Sequence, residues 1–123
     1  MLLQPTSPLR SLNDIASSVH IFETAQSDSL ITCYEEEYIS PLVSYLKDGD
    51  YAIPLSKNHN KGVRRQEESN VFIRNGAIYI ASTDLIRRNQ TLIADFPAMY
   101  LMEKERSVNL DTLADLSILE ALL

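Results

Sequence analysis

"MLLQPTSPLRSLNDIASSVHIFETA", residues 1–25, decides the reading of the fold. Met1, Leu2 and Leu3 form an apolar run that is cut short by Gln4-Pro5-Thr6-Ser7-Pro8, where two prolines force extended or turning backbone. The run reads as the end of a buried strand entering a loop. Ser11, with Asp14 three residues on, is a helix-start signal, and Leu12, Ile15, Ala16, Val19 and Phe22 then recur at helical spacing. A helix from about Leu12 to Ala25 is predicted. Strand, loop and helix in succession are the unit of which α/β proteins are built.

Working outward, Leu30 to Tyr34 is a short β-prone run and Glu35-Glu36-Glu37 a solvated stretch. Residues 41–70 are polar and turn-rich, with Lys47-Asp48-Gly49-Asp50 predicting a hairpin and Ser56 to Gly62 a flexible loop. Val71-Phe72-Ile73 reads as a strand, Asn75-Gly76 as a turn, and Ala77 to Ala81 as a buried strand. Thr83 is placed to cap a short helix through Leu85 and Ile86, and Ala98 to Met102 is a further strand. Thr112 with Asp115 caps a last helix whose apolar side carries Leu113, Leu116, Leu119, Leu122 and Leu123. The expected order is β-α-β, a hairpin insert, then β-α-β-β-α, with the strands parallel and buried. One domain over residues 1–123 is expected, with a hairpin and loop insert at about 41–72.

The 123 residues are 45% hydrophobic and 23% charged, the balance of a soluble globular domain, and the formal net charge is −6. Nucleic acid is an unsuitable partner, because affinity for a phosphate backbone needs an excess of Lys and Arg. No apolar run approaches the ~18 residues that suggest a membrane span. The single cysteine, Cys33, excludes an intrachain disulfide and reads as a buried thiol in a reducing cytoplasm. His20 and His59 lack spacing to other ligands and read as ordinary surface residues.

Four motifs carry a family resemblance: "LLQPTSPLR" at Leu2 to Arg10, "RRQ" at Arg64 to Gln66, "RNGAIYI" at Arg74 to Ile80 and "ERSVNLDTLADL" at Glu105 to Leu116. In this order and spacing the chain resembles the C-terminal portion of a CMP-sialic acid synthetase, an acylneuraminate cytidylyltransferase. The resemblance implies a partial nucleotidyltransferase fold, Rossmann-like and three-layered, with a hairpin dimerisation insert. It further implies transfer of CMP from CTP to the anomeric hydroxyl of an acidic nine-carbon sugar, with magnesium and release of pyrophosphate.

By the same resemblance, Gln4, Thr6 and Ser7 line the sugar cleft, as befits the C-terminal end of a strand in an open α/β sheet. Arg65 would reach the sugar carboxylate across a dimer, where a planar guanidinium makes two parallel hydrogen bonds. Asn75 would border the sugar, and Gly76 would serve backbone geometry. Asp111 would be the catalytic and magnesium-binding carboxylate, with Asn109 as its weakened partner, since relatives carry Asp-x-Asp where this chain has Asn109-Leu110-Asp111.

Other departures concern the cations. No lysine follows Ser40-Pro41, Glu67-Glu68 follows Arg65-Gln66, and the glycine- and basic-rich loop that holds the triphosphate has no counterpart. Activity is therefore expected to need a separate N-terminal half that supplies the nucleotide loop, and the open sheet edge beside the strand ending at Leu3 predicts a homodimer or larger assembly. The alternative is a non-catalytic dimeric remnant. A legionaminic, pseudaminic or Kdo-like acid is the alternative sugar.

Overall fold

The computed structural model describes residues 1–62 and 70–123. The predicted helix is present as α1, Leu12–Thr24, with Ser11 and Asp14 closing a reciprocal capping box at its start. Its neighbours are β1, Leu2–Leu3, and β2, Ser29–Glu36. The hairpin falls where Gly49 predicts it, with β3 at Tyr45–Asp48 paired antiparallel to β4 at Tyr51–Pro54. Beyond the insert follow β5, Val71–Ala81, α2, Thr83–Asn89, β6, Ala98–Leu101, and α3, Leu113–Leu122.

The protein is mixed α/β, and its sheet is mixed too, in the order β1-β5-β2-β6. β2 and β6 are parallel, as expected, with Leu30 opposite Ala98 and Cys33 opposite Leu101. β1 departs from expectation: it runs antiparallel to β5, Leu2 opposite Tyr79 and Leu3 opposite Ile78, at the sheet edge. Leu2 and Leu3 are accordingly exposed. Hydrophobic composition predicted burial, but an edge position decides exposure instead.

A second correction concerns Asn75-Gly76. These residues lie inside one eleven-residue strand and do not turn the chain. Gly76 has a φ of +75°, so the strand bends at a residue without a Cβ instead of reversing. A third, smaller one shifts the cap of α2 to Ser82, whose hydroxyl accepts from the Leu85 amide. The cap of α3 is Thr112, paired with Asp115 as predicted. Of its leucines, however, only Leu119 is buried, so α3 presents most of its apolar side outward.

Two compact units divide the chain. Residues 1–34 and 74–123 form the first, and residues 35–73 the second. In the first, Leu30, Ala77, Ile78, Ile80 and Met102 make the core, over which Ile15, Val19, Phe22, Ala98 and Tyr100 pack. Of the stripe read from helical periodicity, Ile15, Val19 and Phe22 thus meet the core, whereas Leu12 and Ala16 face outward. In the second, the hairpin leaves Leu46, Tyr51 and Ile53 exposed, and the Tyr45 ring meets His59 edge-on. Among the described residues no helix is long and apolar enough to cross a membrane.

Candidate functional site

Two loops of the first unit converge. The loop after β1 is pinned by Arg10, whose Nη1 donates to the carbonyl oxygens of Gln4 at 2.6 Å and Ser7 at 2.7 Å, while the Ser7 amide closes a turn on Gln4. Prolines 5 and 8 limit the backbone, and the guanidinium adds a second donor to the Gln4 carbonyl and pairs that of Ser7. The loop after β6 reaches it through the Leu110 amide, which donates to the Thr6 carbonyl at 2.8 Å. Asn109 and Asp111 therefore stand beside Thr6 and Ser7.

Of the sequence-predicted residues, Gln4, Thr6, Ser7, Asn75, Asn109 and Asp111 all lie on these loops or on β5 beneath them. Arg65 falls outside the described residues, as does Arg64. Ser7 and Asn75 are buried, at 2% and 7% exposure, whereas Gln4, Thr6 and Asn109 are partly exposed and Asp111 is open to solvent. The Ser7 hydroxyl lies 3.3 Å from both the Asn75 carbonyl and Asn109 Oδ1, and Asn109 Nδ2 donates to Asp111 Oδ2 at 2.7 Å. Asn109 thus aims the carboxylate of Asp111. Gln4 Oε1 rests against Gly76, where an added Cβ would come within 2.6 Å of it.

Beside these loops sits a group that sequence reading missed. Asp14, fully buried, accepts from Arg106 Nη1 and Nη2, from the Tyr100 hydroxyl at 3.0 Å, and from the Ser11 amide. Burial by itself would raise the Asp14 pKa, but Arg106 and the donors from Ser11 and Tyr100 overcome it and hold the carboxyl well below the usual range. Burial and the same carboxylate push the Tyr100 hydroxyl up. An acid at the third helical position is an ordinary cap, so only the distant partners reveal its second role. Thr32, which bonds Asn75, was equally unmarked, and Ser107, its other partner, lies in a quoted motif without having been assigned a role.

No cluster of three His, Cys, Asp or Glu suited to a metal occurs among the described residues. Asp111 offers one exposed carboxylate, which fits a magnesium ion that takes its other ligands from water and phosphates. Asn109 adds no charge there.

No protein-family model matches the chain. Curated proteins do. The chain is 32% identical over 115 residues, 94% of its length, to N-acylneuraminate cytidylyltransferases of Streptococcus agalactiae, serotypes V and III. It is 25% identical over 122 residues to an N-acylneuraminate cytidylyltransferase of Escherichia coli and 26% identical over 121 residues to post-translational flagellin modification protein B of Campylobacter coli. By sequence it is related to the N-acylneuraminate cytidylyltransferases over nearly its whole length. It spans 28% of the length of the streptococcal proteins and 51% of that of the Campylobacter protein.

Proposed function

We propose that this chain is part of a cytidylyltransferase that transfers CMP from CTP to the anomeric hydroxyl of a sialic-type nine-carbon sugar acid. The observation that carries the reading is the joining of the two loops through Leu110 and Thr6, which sets a solvent-open carboxylate beside the half-buried Thr6 in a chain similar in sequence to enzymes of that name. The fold is then a nucleotidyltransferase of Rossmann-like, three-layered type, with the hairpin unit as its dimerisation insert.

In this reading the sugar hydroxyl attacks the α-phosphorus of CTP and pyrophosphate leaves. Gln4 and Thr6 orient the sugar, Ser7 holds the loop that carries them, and Arg65 of a second copy receives the sugar carboxylate. Asp111 would hold magnesium, which neutralises charge developing on the phosphate oxygens. Asn109 orients Asp111 through its amide. Groups around the triphosphate would come from the part of the relatives' length that these 123 residues do not span, and Cys33 would stay reduced in the cytoplasm.

The test mixes the chain, with and without an N-terminal half from a streptococcal relative, with CTP, magnesium and N-acetylneuraminate, and measures pyrophosphate. Turnover that appears with both parts and disappears in Asp111→Asn supports the proposal. No turnover, also with legionaminic, pseudaminic or Kdo acids, defeats it. A second reading, a non-catalytic dimeric module, is favoured by the exposed Leu46, Tyr51 and Ile53 of the hairpin. Sedimentation showing a dimer without any turnover would select it.

A further inference from the structure

Asn75 is held on every side by groups of its own chain. A primary amide donates two hydrogen bonds and accepts two. Its Oδ1 accepts from Thr32 Oγ1 at 2.6 Å and from the Ala77 amide at 3.1 Å; its Nδ2 donates to Ser107 Oγ at 2.9 Å and faces Met102 Sδ at 3.4 Å. All four places are filled from within the chain, and the residue is 7% exposed.

These partners come from β2, from β5 itself and from the segment that follows β6. Ser107 passes the connection on by donating to the Glu103 carbonyl at 2.8 Å, so the turn that precedes Asn109 and Asp111 is tied at its start. The Asn75 carbonyl holds the other end of the cluster through Ser7, whose hydroxyl also lies beside Asn109 Oδ1. One side chain and its own carbonyl therefore fix both loops relative to the sheet. The bend at Gly76 fits this role, because it lets Oδ1 reach the Ala77 amide two positions along the same strand.

We infer that Asn75 is a positioning residue that sets the Asn109–Asp111 segment from within the protein. Its consequence for metal binding rests on the cytidylyltransferase reading; its consequence for the loop does not. Partners behind a metal ligand commonly change metal affinity about 10–100-fold when removed. The same scale applies here.

The experiment uses the full chain in three forms, Asn75→Ala, Ser107→Ala and the parent, with two readouts. Amide hydrogen exchange at Leu110 reports the bond to Thr6, and exchange within α1 reports the fold. Spectroscopic titration with Mn2+ and separate titration with N-acetylneuraminate report the ligands. The expected result is exchange at Leu110 faster by about tenfold or more in both variants with α1 unchanged, and Mn2+ bound about tenfold more weakly where the parent binds it. If the parent binds no Mn2+, the cytidylyltransferase reading suffers, while the exchange result still decides the positioning role. Unchanged exchange at Leu110 in Ser107→Ala, or loss of sugar binding in Asn75→Ala with that exchange intact, would overturn the inference.

Discussion

Arg106 closes its guanidinium on the buried carboxylate of Asp14, with Nη2 donating to Oδ1 at 3.1 Å and Nη1 to Oδ2, across 92 residues of sequence. The pair joins the first turn of α1 to the segment that leads into Asn109 and Asp111. Arg106 also ties Glu103 at 2.9 Å, so its own turn is braced on both sides. Removing the cation leaves a buried charged group with only the neutral donors Tyr100 and Ser11. Breaking a buried pair in this way costs about 3 kcal/mol, the low end of the usual range because Arg106 is itself partly exposed. Urea unfolding of Arg106→Ala at pH 7 should show that loss, and a midpoint equal to that of the parent would mean the pair contributes nothing.

Acid acts on the same pair. The Asp14 pKa is lowered in the folded state, so its stabilisation is complete above the ordinary carboxylate value of about 3.9 and fades as pH falls below it, through the folded value. The parent should lose stability steadily below pH 4. In Arg106→Ala the folded pKa rises, so less stability remains to be lost to acid. Unfolding curves at pH 7 and pH 3 check this, the gap between parent and variant being smaller at pH 3.

Three glycines have positive φ, and they separate strain from crowding. At Gly49, in the hairpin turn, an added Cβ meets nothing within 4 Å, so Gly49→Ala should cost about 1 kcal/mol for the left-handed backbone alone. At Gly76 the same strain is joined by the Gln4 carboxamide, and Gly76→Ala should cost roughly 2–3 kcal/mol. Chemical denaturation of both variants, repeated in a Gln4→Ala background, tests the difference. The excess at Gly76 should shrink when Gln4 is truncated.

Asn109→Asp restores a second carboxylate beside Asp111. Without metal it replaces an amide donor at 2.7 Å by a like charge, and a loss of roughly 0.5–1 kcal/mol is expected for so exposed a pair. With millimolar magnesium the order should reverse, since a divalent ion binds two charges better than one. Thermal melts in chelator and in magnesium give the answer. A melting point that magnesium leaves unchanged in both proteins would place the metal elsewhere.

Cys33 should report unfolding. Burial pushes its thiol up and Arg74 pulls it only partly back, so little thiolate is present at neutral pH. Labelling with a thiol-specific chromogenic disulfide should be slow in the folded chain and rapid in urea. Rapid labelling without denaturant would show that the β2–β6 region opens far more readily than its burial suggests.

Much of the fold was legible because it is local. The Ser11–Asp14 and Thr112–Asp115 boxes, the period of Ile15, Val19 and Phe22, and the Gly49 turn each lie within a few residues, and each is present as read. Leu2 and Leu3 were misread because hydrophobicity says what prefers burial and not which strand lies at an edge. Asn75-Gly76 was misread because the same dipeptide serves a turn or a bent strand, and only the partners of β5 decide between them. Gln4, Thr6, Asn109 and Asp111 were singled out through motifs, whereas Asp14, Thr32 and Tyr100 bear no mark that distinguishes them from caps and strand residues.

The sequence by itself determined the alternation of strands and helices, the caps that start α1 and α3, and the relation to acylneuraminate cytidylyltransferases. Tertiary structure alone decided that β1 lies antiparallel at an edge, that Asp14 finds Arg106, and that Asn75 spends all of its hydrogen bonds inside the chain. Local signals act through backbone geometry over one or two turns. Pairings such as Asp14 with Arg106 depend on which distant groups the packed sheet brings within about 3 Å, a distance that no spacing along the chain encodes.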